Sequence, residues 1–258
     1  MSDFDRNIAT ARAGYRPEVA IDAGLRAYMI RVYNYMTAGV ALTGLVAWFA
    51  FQAAGGDSIA VAGNSISGLT DFGRAIFSGP LMWILVLAPL GLVMVMSFGI
   101  NRLSPAAALT LFFVYAGLLG LSLATIFVAY TGASIARVFF ISAATFGAMS
   151  LYGYTTQRDL SGFGSFLFMG LIGIVIASLV NIFIGSSALQ FAISVIGVIV
   201  FIGLTAWDTQ RIKESYYEYQ YADGQAAGKM AIMGALQLYL DFINLFVMLL
   251  QLFGARRD

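Results

Sequence analysis

Polar residues gather in short clusters along this chain, and the stretches between them are apolar over the length a bilayer demands. A spanning helix needs about 20 predominantly apolar residues. Read at that length, the pattern predicts an all-α integral membrane protein, a seven-transmembrane-helix bundle with spans near 32–53, 80–101, 105–128, 136–156, 163–185, 188–210 and 230–253. The charge-free run from Leu160 to Trp207 holds 48 residues, too many for one crossing, so Gly185-Ser-Ser187 must turn the chain. Pro89 predicts a kink inside the second span, and Arg102-Leu-Ser-Pro105 a tight turn after it. The Gly/Ser-rich stretch from Gly55 to Ser78 reads as a non-helical loop. Residues 1–31 read as a polar tail, and 32–258 as one transmembrane domain.

Composition agrees: 60% of the 258 residues are hydrophobic and 10% charged, and no soluble domain fits in the remainder. Cysteine and histidine are both absent, which excludes disulfides, thiolate metal sites and the usual imidazole switch. The formal net charge of +1 gives no reason to expect nucleic acid. Ten of the 14 Lys and Arg residues fall on the side of the N-terminus and four on the other, so the N-terminus is expected in the cytoplasm and the C-terminus outside. Small residues repeat at steps of four, as Ala116-Gly120-Ala124 and Gly173-Ala177-Asn181-Gly185, which reads as helix packing.

Within this apolar pattern Asp241 stands out, since it lies well inside the seventh span. A charge at the centre of a membrane helix costs roughly 2.5–3.5 kcal/mol and usually marks a functional pathway. Gln237, Asp241, Asn244, Met248 and Gln251 fall on one helical face. Asp208 lies near the end of the sixth span, followed by Arg211 and Lys213; by position alone it fits equally an interfacial acid. The sixth span runs toward the side from which the seventh returns, which brings Asp208 toward Asp241, and Arg102 belongs to the same side. Two carboxyls in a poorly solvated site share a proton and titrate in coupled steps. The same oxygens, with those of Gln237 and Asn244 and water, suit a hard cation such as Ca²⁺. An Arg102–Asp208 pair would add a latch.

Gly203-Leu-Thr-Ala-Trp-Asp-Thr-Gln210, followed by Arg-Ile-Lys213, and Leu238-Tyr-Leu-Asp-Phe-Ile-Asn-Leu-Phe246 resemble the sixth- and seventh-helix motifs of the Bax inhibitor-1 family. The resemblance extends from the first span to Gly254. It implies a bacterial inner-membrane protein of seven helices. It also implies a pH-sensitive calcium leak whose paired aspartates fall here on Asp208 and Asp241, with a gating arginine on Arg102. Arg102 stands alone beside Asn101, and the acidic residue that some members carry in the second helix is missing. A second implied role is regulation of stress or membrane-protein quality control by contact with a membrane protease.

No enzyme is expected. Intramembrane aspartyl proteases need Gly-x-Gly-Asp at the second aspartate, where this chain has Leu238-Tyr-Leu240 before Asp241, and Pro-Ala-Leu occurs nowhere. A retinal protein needs a lysine deep in the seventh helix, and Lys229 precedes it. The expected partners are the bilayer, Ca²⁺ or protons, with no resident cofactor.

Overall fold

A computed structural model describes residues 16–62, 65–219 and 224–257. Its elements are α1 (Arg16–Ala54), a 3-10 turn (Gly56–Ser58), β1 (Ala60–Ala62), β2 (Ser65–Ser67), α2 (Asp71–Phe77), α3 (Pro80–Gly99) and a 3-10 turn at Ile100–Arg102. There follow α4 (Pro105–Ala129), α5 (Gly132–Thr155), α6 (Ser161–Ile184), α7 (Ser187–Tyr219) and α8 (Gly224–Phe253). Seven helices, all but α2, are long and apolar enough to cross a membrane.

Two boundaries differ from the sequence expectation. The first helix starts at Arg16 rather than near 32, because Leu25, Tyr28, Met29, Val32 and Met36 recur at helical spacing among the arginines and are buried. Residues 1–15 of the expected tail lie outside the described residues. The loop expected over 55–78 is partly ordered into an antiparallel hairpin, with Val61 opposite Ile66, and the short helix α2, whose N-cap Thr70 accepts from Gly73 N. Pro89 lies inside α3, which runs through it as one helix.

The turn expected at Gly185 is present. Gly185 closes α6 at φ +65°, where a Cβ would be strained, and its N–H donates to Asn181 O at 2.7 Å. α7 runs on to Tyr219, and α8 begins at Gly224.

α8 is the axis of the bundle: 67% of its most apolar window is buried, against 17% for α3 and α6. It packs on α7, α1, α5 and α4, while α6 packs on α7 and α3 on α4. Ala116, Gly120 and Ala124 form the seam of α4 with α1, where a Cβ on Gly120 would come within 2.7 Å of Thr43 O. Of the second small-residue stripe Ala177 packs against the core and Asn181 is buried, while Gly173 is exposed with nothing near it.

The C-terminal segment ties down the end of the bundle opposite the start of α1. Thr131 N donates to Ala255 O at 3.1 Å, Arg257 N to Ala129 O at 3.0 Å, and Ala255 N to Ser134 Oγ at 2.8 Å. Arg257 also pairs with Asp57 and sits 5.4 Å from the ring centre of Phe51. α8 is thus long enough to cross a membrane, and the segment after it returns to the α4–α5 link.

Candidate functional site

Asp208 and Asp241 are brought together. Both are buried, at 3% and 5% exposure, and their carboxyl groups lie in hydrogen-bonding contact across the α7–α8 seam. α7 continues as a helix for three turns past Asp208, which sinks that residue to the level of the middle of α8, as the antiparallel arrangement requires. Gln237, one turn before Asp241 on α8, donates Nε2–H to Asp208 Oδ1 at 2.5 Å. Asp241 Oδ2 is buried and has no hydrogen-bond partner. An acceptor left so is costly unless something else meets it.

The pair lines a crevice of about 380 Å³ between α6 and α8, floored by α7. Phe168, Leu204 and Leu240 make its walls apolar, and Arg211 and Asn244 add polar groups. Asn244 donates Nδ2–H to Leu240 O at 2.8 Å, so its side-chain oxygen stays free to accept.

The expected arginine latch is not made by Arg102 in this structure. Arg102 is exposed at the end of its 3-10 turn and joins no ion pair among the described residues. The guanidinium that shares the crevice with Asp208 is that of Arg211, three residues on along the same helix, stacked 5.5 Å from the ring centre of Trp207 and in no ion pair with the acid.

The polar stripe of α8 divides. Gln237, Asp241 and Asn244 face the crevice. Met248 packs where Gly197 leaves room, and Gln251 belongs to a second cluster, accepting from Gln190 Nε2 at 2.8 Å and Ser194 Oγ at 2.7 Å. Asn181 joins that cluster by donating to Gln190 Oε1 at 3.1 Å.

Residues beside Asp208 that sequence reasoning passed over hold its helix in place. A Cβ on Gly164 would strike Trp207, so the indole lies flat against the α6 backbone. Thr209 Oγ1 lies 3.0 Å from Ser150 Oγ, which is 2.6 Å from Tyr33 Oη, joining α7 to α5 and α1. Gln210 clamps the α5–α6 link, donating to Arg158 O at 2.8 Å and accepting from Leu160 N at 2.9 Å. Lys213 Nζ donates to Tyr154 O at 2.9 Å, capping α5. The available signal was the density of polar residues from Trp207 to Lys213, which on a helix points to several neighbours at once.

The description "Inhibitor of apoptosis-promoting Bax1" matches residues 25–258. The Escherichia coli K12 inner membrane protein YbhL is 50% identical over 91% of this chain and 94% of its own length. An uncharacterized protein of Rickettsia prowazekii is 45% identical over the whole of both chains, and one of Deinococcus radiodurans 42% over 91% and 92%. With seven spanning helices, the two motifs paired at the α7–α8 seam and these relatives, the chain belongs to the Bax inhibitor-1 family.

Proposed function

We propose that the protein is a proton-regulated calcium leak pathway of the inner membrane, with the Asp208–Asp241 pair as its sensing element. The observation that carries this reading is the contact of two buried carboxyl groups from neighbouring spans, inside a crevice that also holds a guanidinium and two amides. A proton held between the two carboxyls joins α7 to α8. Its loss leaves like charges in contact at low dielectric, which drives the helices apart and frees the oxygens. Arg211 lines the same crevice as Asp208, and its competition with Asp241 for that carboxyl sets how firmly the closed pair holds. The gating arginine of this reading is therefore Arg211, with Arg102 left to the surface.

Ca²⁺ takes six to eight oxygens. Two carboxyls and the oxygens of Gln237 and Asn244 offer six at most, the bottom of that range, and with Asp208 Oδ1 already held by Gln237 water must complete the shell. Such an incomplete set suits an ion in passage better than one retained. The location follows the E. coli relative, whose name places that protein in the inner membrane, and the excess of Lys and Arg on the side of the N-terminus supports a cytoplasmic N-terminus.

The test is Ca²⁺ flux into liposomes holding the purified protein, from roughly pH 6 to 8. Wild-type flux should change across that range, and Asp208→Asn and Asp241→Asn should each flatten the profile. A variant that keeps the wild-type profile overturns the reading. A wild type that passes no Ca²⁺ at any pH favours a non-transporting regulator acting through a membrane-protease partner.

A further inference from the structure

α1 and α5 both pack on α8 but not closely on each other, and a crevice of about 810 Å³ opens between them toward the membrane. Along α1 it runs from Arg26 to Val40, 14 residues apart or about 21 Å at the helical rise. Half of a bilayer with its headgroups is about 20–22 Å thick. The crevice is thus one leaflet deep.

Its lining is graded along that depth. Below Arg26 at the mouth come Met29 and Ile30 on α1 and Tyr154 on α5, whose carbonyl accepts from Lys213 Nζ, and halfway down Tyr33 Oη and Ser150 Oγ meet across the crevice at 2.6 Å. At the far end the walls are Met36, Val40, Phe139 and Phe146, and a narrower apolar crevice of about 310 Å³ continues beyond Val40 and Phe139. The Arg26 guanidinium is exposed at the mouth and makes no hydrogen bond or ion pair among the described residues. A phospholipid has the same grading, with phosphate at the surface, ester and glycerol oxygens below it, and hydrocarbon inward. A partner helix would instead lay an apolar face on an unpaired guanidinium, which is unfavourable.

We propose that the α1–α5 crevice is a binding site for an anionic phospholipid, with its phosphate on Arg26 and an acyl chain along Met36, Val40, Phe139 and Phe146. The site is separate from the acid pair, and its test needs no ion flux.

The full-length protein, purified in detergent, is offered an equal mixture of phosphatidylglycerol and phosphatidylcholine, and retained lipid is read by native mass spectrometry. Wild type should retain phosphatidylglycerol preferentially. Arg26→Ala should lower that retention about fivefold, the effect of one basic residue on an anionic lipid, and Arg26→Lys should restore most of it. Gly147→Phe, at a position where an added Cβ meets nothing within 4 Å, should fill the crevice and lose both lipids. Unchanged phosphatidylglycerol retention in Arg26→Ala overturns the proposal, as does unchanged retention in a folded Gly147→Phe. A photo-reactive residue at position 147 that captures a protein rather than lipid in intact membranes also overturns it. Should Gly147→Phe fail to fold, the two Arg26 variants decide.

Discussion

Gln237 on α8 donates its amide hydrogen to Asp208 on α7, the carboxyl that is also in contact with Asp241 on α8. One helix therefore meets the same acid twice, once through an amide and once through a carboxyl. Replacing Gln237 by Leu leaves a buried acceptor unmet, which costs about 1–3 kcal/mol. The variant should melt at lower temperature in detergent than wild type, and Gln237→Glu, which can donate only when protonated, should melt lower as pH rises. A Gln237→Leu protein as stable as wild type would show that the amide does not hold the seam.

The α5–α7 contact at Gly153 is backbone on backbone, since a Cβ there would overlap the carbonyl of Ala206. Gly→Ala in a helix normally gains up to about 1 kcal/mol of propensity. Here overpacking of about 1–3 kcal/mol opposes it, because neither backbone can yield. Gly153→Ala should lower the melting temperature, whereas Gly147→Ala, about 9 Å away along the helix and facing open space, should be neutral or raise it.

The C-terminal strap combines one ion pair with several backbone hydrogen bonds, and these should differ in weight. Asp57 is 81% exposed and Arg257 31%, so Asp57→Asn should cost at most about 1 kcal/mol and matter less in high salt. Truncation after Gly254 removes the bonds at Ala129, Thr131 and Ser134 together. Hydrogen exchange should show lost protection at Thr131 in the truncation and near-normal protection in Asp57→Asn.

Asp159 starts α6 by accepting from Ser161 N at 2.8 Å. Hydrogen bonds from the Ser161 side chain and then its backbone hold the Asp159 carboxyl below the ordinary aspartate value of 3.8. A depressed folded value means that the contribution is present above the unfolded value and is lost as pH falls through the folded one. The first turn of α6 should therefore fray only under acid conditions, seen as faster exchange of the Ser161 amide. Asp159→Asn should keep an acceptor there and remove the acid dependence.

The sequence by itself determined the spans, the break at Gly185 and the acid pair. Each is a local or topological property: apolar length fixes a crossing, glycine alone is at ease at positive φ, and two antiparallel helices joined by a short link must bring their acids to one side. The reach of α1 back to Arg16 was written in the same spacing but hidden by the arginines interspersed in it, of which Arg26 and Arg31 are exposed. Only the tertiary structure decided which polar groups meet. Period alone puts Gln237, Asp241 and Gln251 on one stripe, and that stripe follows α7 along its length, so one part closes on Asp208 and the other, about 20 Å along, on Gln190 and Ser194. That Arg102 stays at the surface is likewise decided by the fold, whereas Arg211, three residues from Asp208 on α7, is its neighbour by helical spacing alone. Pairing across a bundle is a matter of helix rotation and depth, and those are set by the close contacts of Gly153, Gly164 and Gly120 with their neighbours.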